Sequence, residues 1–122
     1  MQMVWDDGEN TCGNACPVVD QESGVIWLPM TWNKSEDTED KIIAGESKQP
    51  RRPYLSCSSD EGKTWPVSRL IYEQHSDYSC LTVLPDKSIG IYYGRDKYSK
   101  LTFARFTLQW LSRGQDSVRA DR

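Results

Sequence analysis

Short β-forming runs separated by turn residues restrict the fold of this chain more than any other feature of its sequence. The clearest runs are residues 25–32, 54–58, 67–72, 80–84, 89–93 and 101–107, and residues 41–45 form a shorter one. No segment keeps the period of an amphipathic helix, and residues 108–111 are long enough for one turn only. Short strands separated by turns about every 8–12 residues are typical of a sandwich, a barrel or a propeller. The sequence therefore predicts an all-β fold.

A proline and the C-terminal residues refine this prediction. Pro29 lies within the run of residues 25–32, and proline lacks the N–H that a central strand donates to its neighbour. The sequence therefore predicts an edge strand or a bulge at Pro29. Residues 112–122 are polar, and we expect them to form a frayed tail.

Length and charge exclude several classes of protein. A chain of 122 residues suffices for one domain of modest size. Because its net charge is −3 and its Lys and Arg residues are dispersed, we expect no nucleic-acid partner. No run of about 18 apolar residues is present, so we expect no membrane-spanning helix. Residues 1–7 lack the basic flank and apolar stretch of a signal peptide, which leaves the localisation unassigned.

The cysteine and histidine content predicts neither a metal centre nor a cofactor. Cys12 and Cys16 are spaced as C-x3-C, Cys57 and Cys80 stand alone, and His75 is the only histidine. A zinc site needs a second close pair of cysteines or neighbouring histidines. The C-x3-C pair is compatible with a disulfide in an oxidising compartment and equally with two free thiols.

The pattern Ser58-x-Asp60-x-Gly62-x-Thr64-Trp65 is the most informative segment. Asp60 is suited to accept hydrogen bonds from the backbone N–H groups of a turn, and Gly62 supplies the positive φ of a tight reversal. Ser58 and Thr64 are placed to bond across the neck of the hairpin, with the Trp65 ring packed over the turn. The segment therefore predicts a β-hairpin tip that is held by its own side chains.

This segment resembles the Asp box of exo-α-sialidases (neuraminidases), which lies on hairpins of a six-bladed β-propeller. Residues 13–28 and 51–54 resemble an early blade of that family. Residues 78–93 and 103–111 resemble its last blade. The resemblance implies a sialidase whose beginning and middle blades are missing.

The fold that the resemblance implies is a partial sialidase-type β-propeller of about two four-stranded antiparallel blades. One domain is expected over residues 1–111, with the early blade at about residues 1–72 and the last blade at about residues 77–111. Two blades cannot close a ring, so the alternative is collapse into a small two-sheet arrangement. Both arrangements leave sheet edges exposed, and self-association through these edges is a further expectation.

The resemblance also implies a reaction, the hydrolysis of terminal sialic acid from glycoconjugates, and therefore sialylated glycans as partners. Sialidases use a tyrosine nucleophile, which needs a basic partner because an ordinary tyrosine has a pKa of about 10. Tyr78, in the segment Tyr-Ser-x-Leu-Thr, matches this nucleophile. The family also supplies a glutamate beside the tyrosine, an aspartate as acid/base and three arginines that bind the substrate carboxylate. Its members are often secreted, periplasmic or lysosomal.

Most of this catalytic set has no counterpart in the sequence. Gly94 stands where the family usually has a glutamate. Four arginines are present outside any motif of the carboxylate clamp: Arg51, Arg52, Arg95 and Arg105. We therefore expect the chain to be weakly active or inactive on its own.

The alternative function is a non-catalytic module that binds glycans or proteins. Aromatic side chains stack on sugar faces, and the candidates here are Trp5, Trp27, Trp32, Tyr92 and Tyr93. Glycan binding without hydrolysis distinguishes such a module from the enzyme. A third arrangement, an oligomer that completes a propeller from repeated chains, still lacks the absent catalytic groups.

Overall fold

The computed structural model describes residues 1–113, so the predicted tail lies outside the described residues from residue 114 onward. The strands are β1 (Thr11–Gly13), β2 (Val18–Val19), β3 (Ile26–Asn33), β4 (Arg52–Ser58), β5 (Val67–Leu70), β6 (Ser76–Val83), β7 (Ile89–Arg95) and β8 (Lys100–Phe106). The helices are α1 (Glu39–Ala44) and α2 (Leu108–Leu111). The predicted all-β class is confirmed. Within residues 1–113, neither helix has the length and apolar character needed to cross a membrane.

All strand pairs are antiparallel, and the strands form two sheets. In the first sheet, β1 and β2 pair with one side of β3, while β4 and then β5 follow on its other side. The second sheet has the order β6-β7-β8. The prediction of two antiparallel sheets is therefore confirmed. The strands divide into five and three rather than four and four, because β1 and β2 share one side of β3.

One hydrophobic core links the two sheets. Trp27, Leu55 and Cys57 of the first sheet lie in this core with Ile89 of the second sheet, and Leu111 of α2 closes it. Trp27 pairs with Cys57 across β3 and β4, so their side chains share a face. Burying an apolar side chain of this size fully contributes about 1.5–3 kcal/mol. This cluster is therefore the main link between the sheets.

The outer face of the first sheet is covered by the N-terminal segment, residues 1–10. Trp5 packs edge-on against Tyr54 of β4, with the ring centroids 5.3 Å apart. The indole N–H of Trp32 donates to Asp7 Oδ2 at 2.6 Å. Two further apolar side chains of this face are buried: Leu28 and Met30. The first sheet is thus covered on both faces.

The outer face of the second sheet is open to solvent. Tyr92 of β7 pairs with Phe103 of β8, and their ring centroids are 4.8 Å apart. Both side chains are exposed, and Leu101 beside them is 76% exposed. A Cβ on Gly90 would lie 2.8 Å from the Phe103 ring, so this ring lies closely over the glycine. We call Tyr92, Leu101 and Phe103 the open aromatic face.

Pro29 lies in a central strand, so the prediction of an edge position is wrong. Pro29 pairs with Leu55 of β4 on one side of β3. On the other side, the pairing with β1 ends at Thr31 and the pairing with β2 begins at Trp27. Among residues 1–113, no strand is paired with β3 opposite Pro29 on that side. This break in the ladder accommodates a residue that has no N–H to donate.

The prediction of a strand at residues 41–45 is also wrong, because these residues belong to α1 and its C-terminal cap. Glu39 and Asp40 lie in the first turn, where negative charge is favourable. Gly45 has φ +76° and donates its N–H to the Ile42 carbonyl at 3.2 Å, which ends the helix. Ile42 is buried and anchors α1 to the fold. A helix of six residues is too short for its period to be recognised in the sequence.

Candidate functional site

Residues 58–65 form the turn between β4 and β5, and their side chains bond to the backbone of the same turn. Ser58 Oγ accepts a hydrogen bond from the Gly62 N–H at 2.9 Å and donates to Asp60 Oδ1 at 2.7 Å. Asp60 Oδ1 accepts from the Thr64 N–H at 2.8 Å, and Asp60 Oδ2 accepts from the Thr64 hydroxyl at 2.6 Å. We call this segment the 58–65 turn. The side chains of Ser58, Asp60 and Thr64 are engaged within the turn itself.

The electrostatics of the 58–65 turn follow from these bonds. The pKa of Asp60 is lowered to about 2, chiefly by the Thr64 hydroxyl and further by the Thr64 backbone N–H and the Ser58 hydroxyl. Gly62 has φ +83°, a conformation that favours glycine. Trp65 and the Ile26 side chain both lie within 4 Å of the position that a Cβ on Gly62 would take. Both carboxylate oxygens of Asp60 are thus bonded within the turn.

Tyr78 lies on the second sheet, at the irregularity in the β6–β7 pairing between Ser76 and Ser79. Its side chain is 73% exposed. Within the described residues its hydroxyl makes no hydrogen bond, and it does not line the groove described below. A tyrosine nucleophile needs a base within hydrogen-bond reach, and the described chain supplies none to Tyr78.

Gly94 lies near the end of β7, next to a buried carboxyl group. A Cβ on Gly94 would lie 3.3 Å from Asp77 Oδ2 and 3.4 Å from Asp77 Cβ. Asp77 therefore occupies the space beside the position where the sialidase resemblance implies a glutamate. Sequence analysis did not single out Asp77, because a lone aspartate between polar neighbours gives no signal of burial.

The four arginines considered for a carboxylate clamp are all engaged elsewhere. Arg51 is buried and forms an ion pair with Glu39, and Arg52 donates to the Glu73 carbonyl at 3.3 Å. The remaining two bond within the second sheet, Arg95 to Thr102 and Asp96, and Arg105 to Ser88 and Asp86. Within residues 1–113, each of these four guanidinium groups is therefore engaged by a partner other than Tyr78.

Of the five aromatic side chains considered for stacking on sugars, four are buried or engaged by other residues and one is exposed. Trp27 and Tyr93 are buried, while Trp5 and Trp32 are engaged by Tyr54 and Asp7 as described above. Tyr92 remains on the open aromatic face. Phe103, which sequence analysis did not select, accompanies it there. The strict alternation of residues 101–107 is the signal that could have identified Phe103.

A groove of about 410 Å³ lies where the β2–β3 turn, the β6–β7 turn and α2 meet. Glu22 and Lys87 form an ion pair across it, with 2.7 Å between Lys87 Nζ and Glu22 Oε2. Trp27 and Leu108 provide apolar lining. Asp20, buried in the same groove, bonds to Ser23 and to the Glu22 N–H, and these bonds lower its pKa. The charged groups of this groove are thus already paired.

The thiols and potential metal ligands remain separate within residues 1–113. All four cysteines are free there, and burial raises the pKa of Cys57 to about 12, which removes it as a nucleophile at neutral pH. The same residues contain no group of three or more His, Cys, Asp and Glu side chains placed to hold a metal ion.

Comparison with known proteins identifies a local similarity. The chain is 41% identical over 57 residues to a sialidase from Micromonospora viridifaciens. The match covers 47% of this chain and 8% of that sialidase, so the chain corresponds to a small part of the relative. No family model matches the chain.

Proposed function

We propose that this chain is a segment of an exo-α-sialidase-like glycoside hydrolase, a family that releases terminal sialic acid from glycoconjugates. The observation that carries the proposal is the 41% identical match to a sialidase. The 58–65 turn supports it, because four spaced residues of the Asp-box pattern, Ser58, Asp60, Gly62 and Thr64, are hydrogen-bonded as one compact unit. In this proposal the domain comprises residues 1–111, and sialylated glycans are its ligands.

In this proposal Tyr78 takes the role of the nucleophile, and the described chain turns over little or no substrate by itself. The exposed hydroxyl of Tyr78 has no base beside it, and the arginines are bound to other residues. A carboxylate substrate needs bidentate cationic groups to hold it at the reacting tyrosine. In this proposal the nucleophile is present, and residues 1–113 lack the groups that would activate it.

The test combines turnover and binding. Release of a fluorogenic group from an α-sialoside is measured for the parent chain beside Tyr78→Phe, and we expect turnover within a few-fold of the uncatalysed background. Binding of 3′-sialyllactose is measured by ¹H–¹⁵N NMR with lactose as the control. We expect shifts that depend on the sialic acid, since binding does not require the missing acid/base groups.

Two results would contradict different parts of the proposal, the nucleophile and the recognised sugar. Turnover that survives Tyr78→Phe would remove Tyr78 from the role of nucleophile. Equal responses to 3′-sialyllactose and lactose would remove sialic acid as the recognised sugar. If the parent chain shows turnover and Tyr78→Phe abolishes it, Tyr78 is supported as the nucleophile. The activating groups would then be other than those described here.

A second candidate function is a non-catalytic glycan-binding module, and the open aromatic face favours it. Tyr92 and Phe103 present adjacent rings to solvent, and such rings pack on the apolar faces of sugars. We expect Tyr92→Ala and Phe103→Ala to weaken glycan binding at least several-fold. Trp32→Phe, which keeps an aromatic ring on the covered sheet, is the matched control. Binding that is unchanged in both alanine variants would exclude this face.

A further inference from the structure

β8 leaves one long edge of the second sheet unpaired. It pairs with β7 in an unbroken register from Lys100 to Phe106, without a bulge or a proline. Among residues 1–113, no strand is paired with its other side. The side of a strand that has no neighbour presents backbone N–H and C=O groups at the spacing that another extended strand requires. The edge of β8 is therefore open to the addition of a strand.

The other edges of the two sheets are short, irregular or covered. β1, β2 and β5 have at most four residues each. The Trp110 ring of α2 lies beside β5, with its centroid 4.0 Å from the guanidinium carbon of Arg69. The β6 pairing is irregular between Ser76 and Ser79, and the Ser76 N–H donates to the Arg51 carbonyl at 2.8 Å. Because such features hinder strand addition, β8 is the edge that remains.

The turn between β6 and β7 shows which residues of β7 bond to which neighbour. The Leu84 N–H donates to the Ser88 carbonyl at 2.8 Å, so these two residues form a hydrogen-bonded pair. Hydrogen-bonded pairs alternate with non-hydrogen-bonded pairs along an antiparallel ladder. The next hydrogen-bonded pair is therefore Thr82 with Gly90. The even-numbered residues of β7 thus bond to β6, and its odd-numbered residues bond to β8.

The same alternation determines which backbone groups of β8 are free. Ile91 of β7 pairs with Ala104, so the even-numbered residues of β8 direct their N–H and C=O groups towards β7. Successive residues of a strand direct these groups to opposite sides. The free edge of β8 therefore presents the N–H and C=O groups of its odd-numbered residues, which are Leu101, Phe103 and Arg105.

These three residues are placed symmetrically about the middle of β8, so the edge is complementary to a second copy of itself. In an antiparallel pair with Phe103 at the two-fold axis, Phe103 lies opposite Phe103 of the second copy. Leu101 then lies opposite Arg105 of the second copy. Every edge-facing N–H meets a carbonyl in this register, and all seven residues of β8 take part. Any other register about a two-fold axis pairs fewer residues.

The side chains and charges of β8 favour the same antiparallel register. Tyr92 and Phe103 are cross-strand neighbours on the open aromatic face, so two copies would form one continuous row of aromatic rings across the axis. Arg105 is ion-paired with Asp86 of its own chain and would lie opposite the apolar Leu101. A parallel arrangement in register would instead place Arg105 beside Arg105 of the second copy, and like charges in that position are unfavourable.

We propose that two copies of this chain associate through β8, as an antiparallel strand pair centred on Phe103. The pair joins the two second sheets into one six-stranded sheet, since each contributes three strands. Three hydrogen-bonded residue pairs with two bonds each hold it together. A strand pair buries less surface than a standard interface, so we expect a Kd on the order of 100 μM. The proposal does not rest on the sialidase-like function.

The experiment measures both the association and its register. Sedimentation equilibrium of the full chain from about 10 μM to about 1 mM gives the Kd of the dimer. Isotope-filtered NMR on a mixture of labelled and unlabelled chain detects only contacts between copies. We expect a contact between the Hα of Thr102 and the Hα of Ala104 of the second copy, because these residues form a non-hydrogen-bonded pair, in which the backbones lie closest.

Two variants of one residue separate the backbone bonds from the side chain. Leu101→Pro removes an N–H that faces the free edge, so the pairing with β7 keeps its bonds, and we expect the dimer to weaken by about tenfold or more. Leu101→Ala shortens the same side chain and keeps this N–H, and we expect a change of about threefold or less. Circular dichroism checks that both variants fold.

A second pair of variants decides the outcome if Leu101→Pro fails to fold. Phe103→Lys places two positive charges opposite each other at the axis, and we expect it to abolish the dimer. Thr82→Lys adds the same charge to the same face of the sheet, two strands from the edge, and is expected to leave the Kd unchanged. A monomer at about 1 mM, equal effects within either pair of variants, or filtered contacts outside β8 would overturn the proposal.

Discussion

The two sheets of this chain differ in what covers them. The first sheet packs on the core with one face and lies under the N-terminal segment with the other. The second sheet packs on the same core with one face and leaves Tyr92, Leu101 and Phe103 exposed on the other. Both sheets have the alternating pattern of β-strands, so this pattern alone does not show which sheet is covered on both faces.

The aromatic side chains of the first sheet are covered, whereas the Tyr92–Phe103 pair of the second sheet remains in water. In the second candidate function, this exposed pair is the binding surface. Four predictions test this comparison, in order of decreasing effect on the free energy of unfolding.

Two leucine substitutions are expected to show the largest difference in stability between the two sheets. Leu55→Ala removes a fully buried side chain from the core, and we expect the free energy of unfolding to fall by about 3 kcal/mol. Leu101→Ala removes the same group from the open aromatic face and is expected to change it by less than about 0.5 kcal/mol. Urea denaturation monitored by tryptophan fluorescence measures both. Equal losses would show that the outer face of the second sheet is covered in solution.

Two serine substitutions compare the turns that join the strands. Ser58→Ala leaves the Gly62 N–H without its acceptor, and we expect a loss of about 2 kcal/mol. Ser88, in the β6–β7 turn, bonds instead to the half-exposed side chains of Asp86 and Arg105. Water can replace Ser88 there, so Ser88→Ala is expected to cost about 1 kcal/mol or less. Urea denaturation measures the free energy of unfolding of both variants. A larger loss for Ser88→Ala than for Ser58→Ala would contradict this prediction.

Gly90→Ala tests how firmly the Phe103 ring is held on the open aromatic face. The added Cβ would displace the ring, and we expect a loss of about 1 kcal/mol. In the Phe103→Ala background the same change is expected to cost less than half as much, because the clash is gone. A double-mutant cycle gives this difference directly. Additive effects would mean that the ring already lies away from Gly90.

The acid stability of the 58–65 turn is expected to give the smallest effect. Because the pKa of Asp60 is lowered to about 2 from 3.8, its ionised form stabilises the folded state. This contribution is complete above about pH 4 and is lost as the pH falls through about 2. The free energy of unfolding of the parent and of Asp60→Asn is measured between pH 6 and 2 by circular dichroism. The difference between the two gives the contribution of ionised Asp60. The two stability curves are expected to converge at the acid end, and a constant separation would contradict the assignment.

The sequence was sufficient for the fold class and the longer strands, because these depend on local alternation and turn chemistry. It was insufficient for Pro29 and α1. The tolerance of Pro29 depends on where β1 ends and β2 begins, which is a property of tertiary pairing. Asp77 was missed for a related reason. Its burial results from α1 and the β7–β8 turn closing over it, and neither is visible from its immediate neighbours.

The N-terminal cover of the first sheet also has a consequence for the order of folding. Trp5 meets Tyr54, Asp7 meets Trp32, and Gln2 bonds to the Lys63 carbonyl, 61 residues away in sequence. Closing loops of this length precedes any gain from the contacts at their ends. During synthesis on a ribosome, residues 1–10 emerge before the β4–β5 hairpin and can pack on the first sheet only after that hairpin has formed. Although they precede this sheet in the chain, they are the last part of it to be secured.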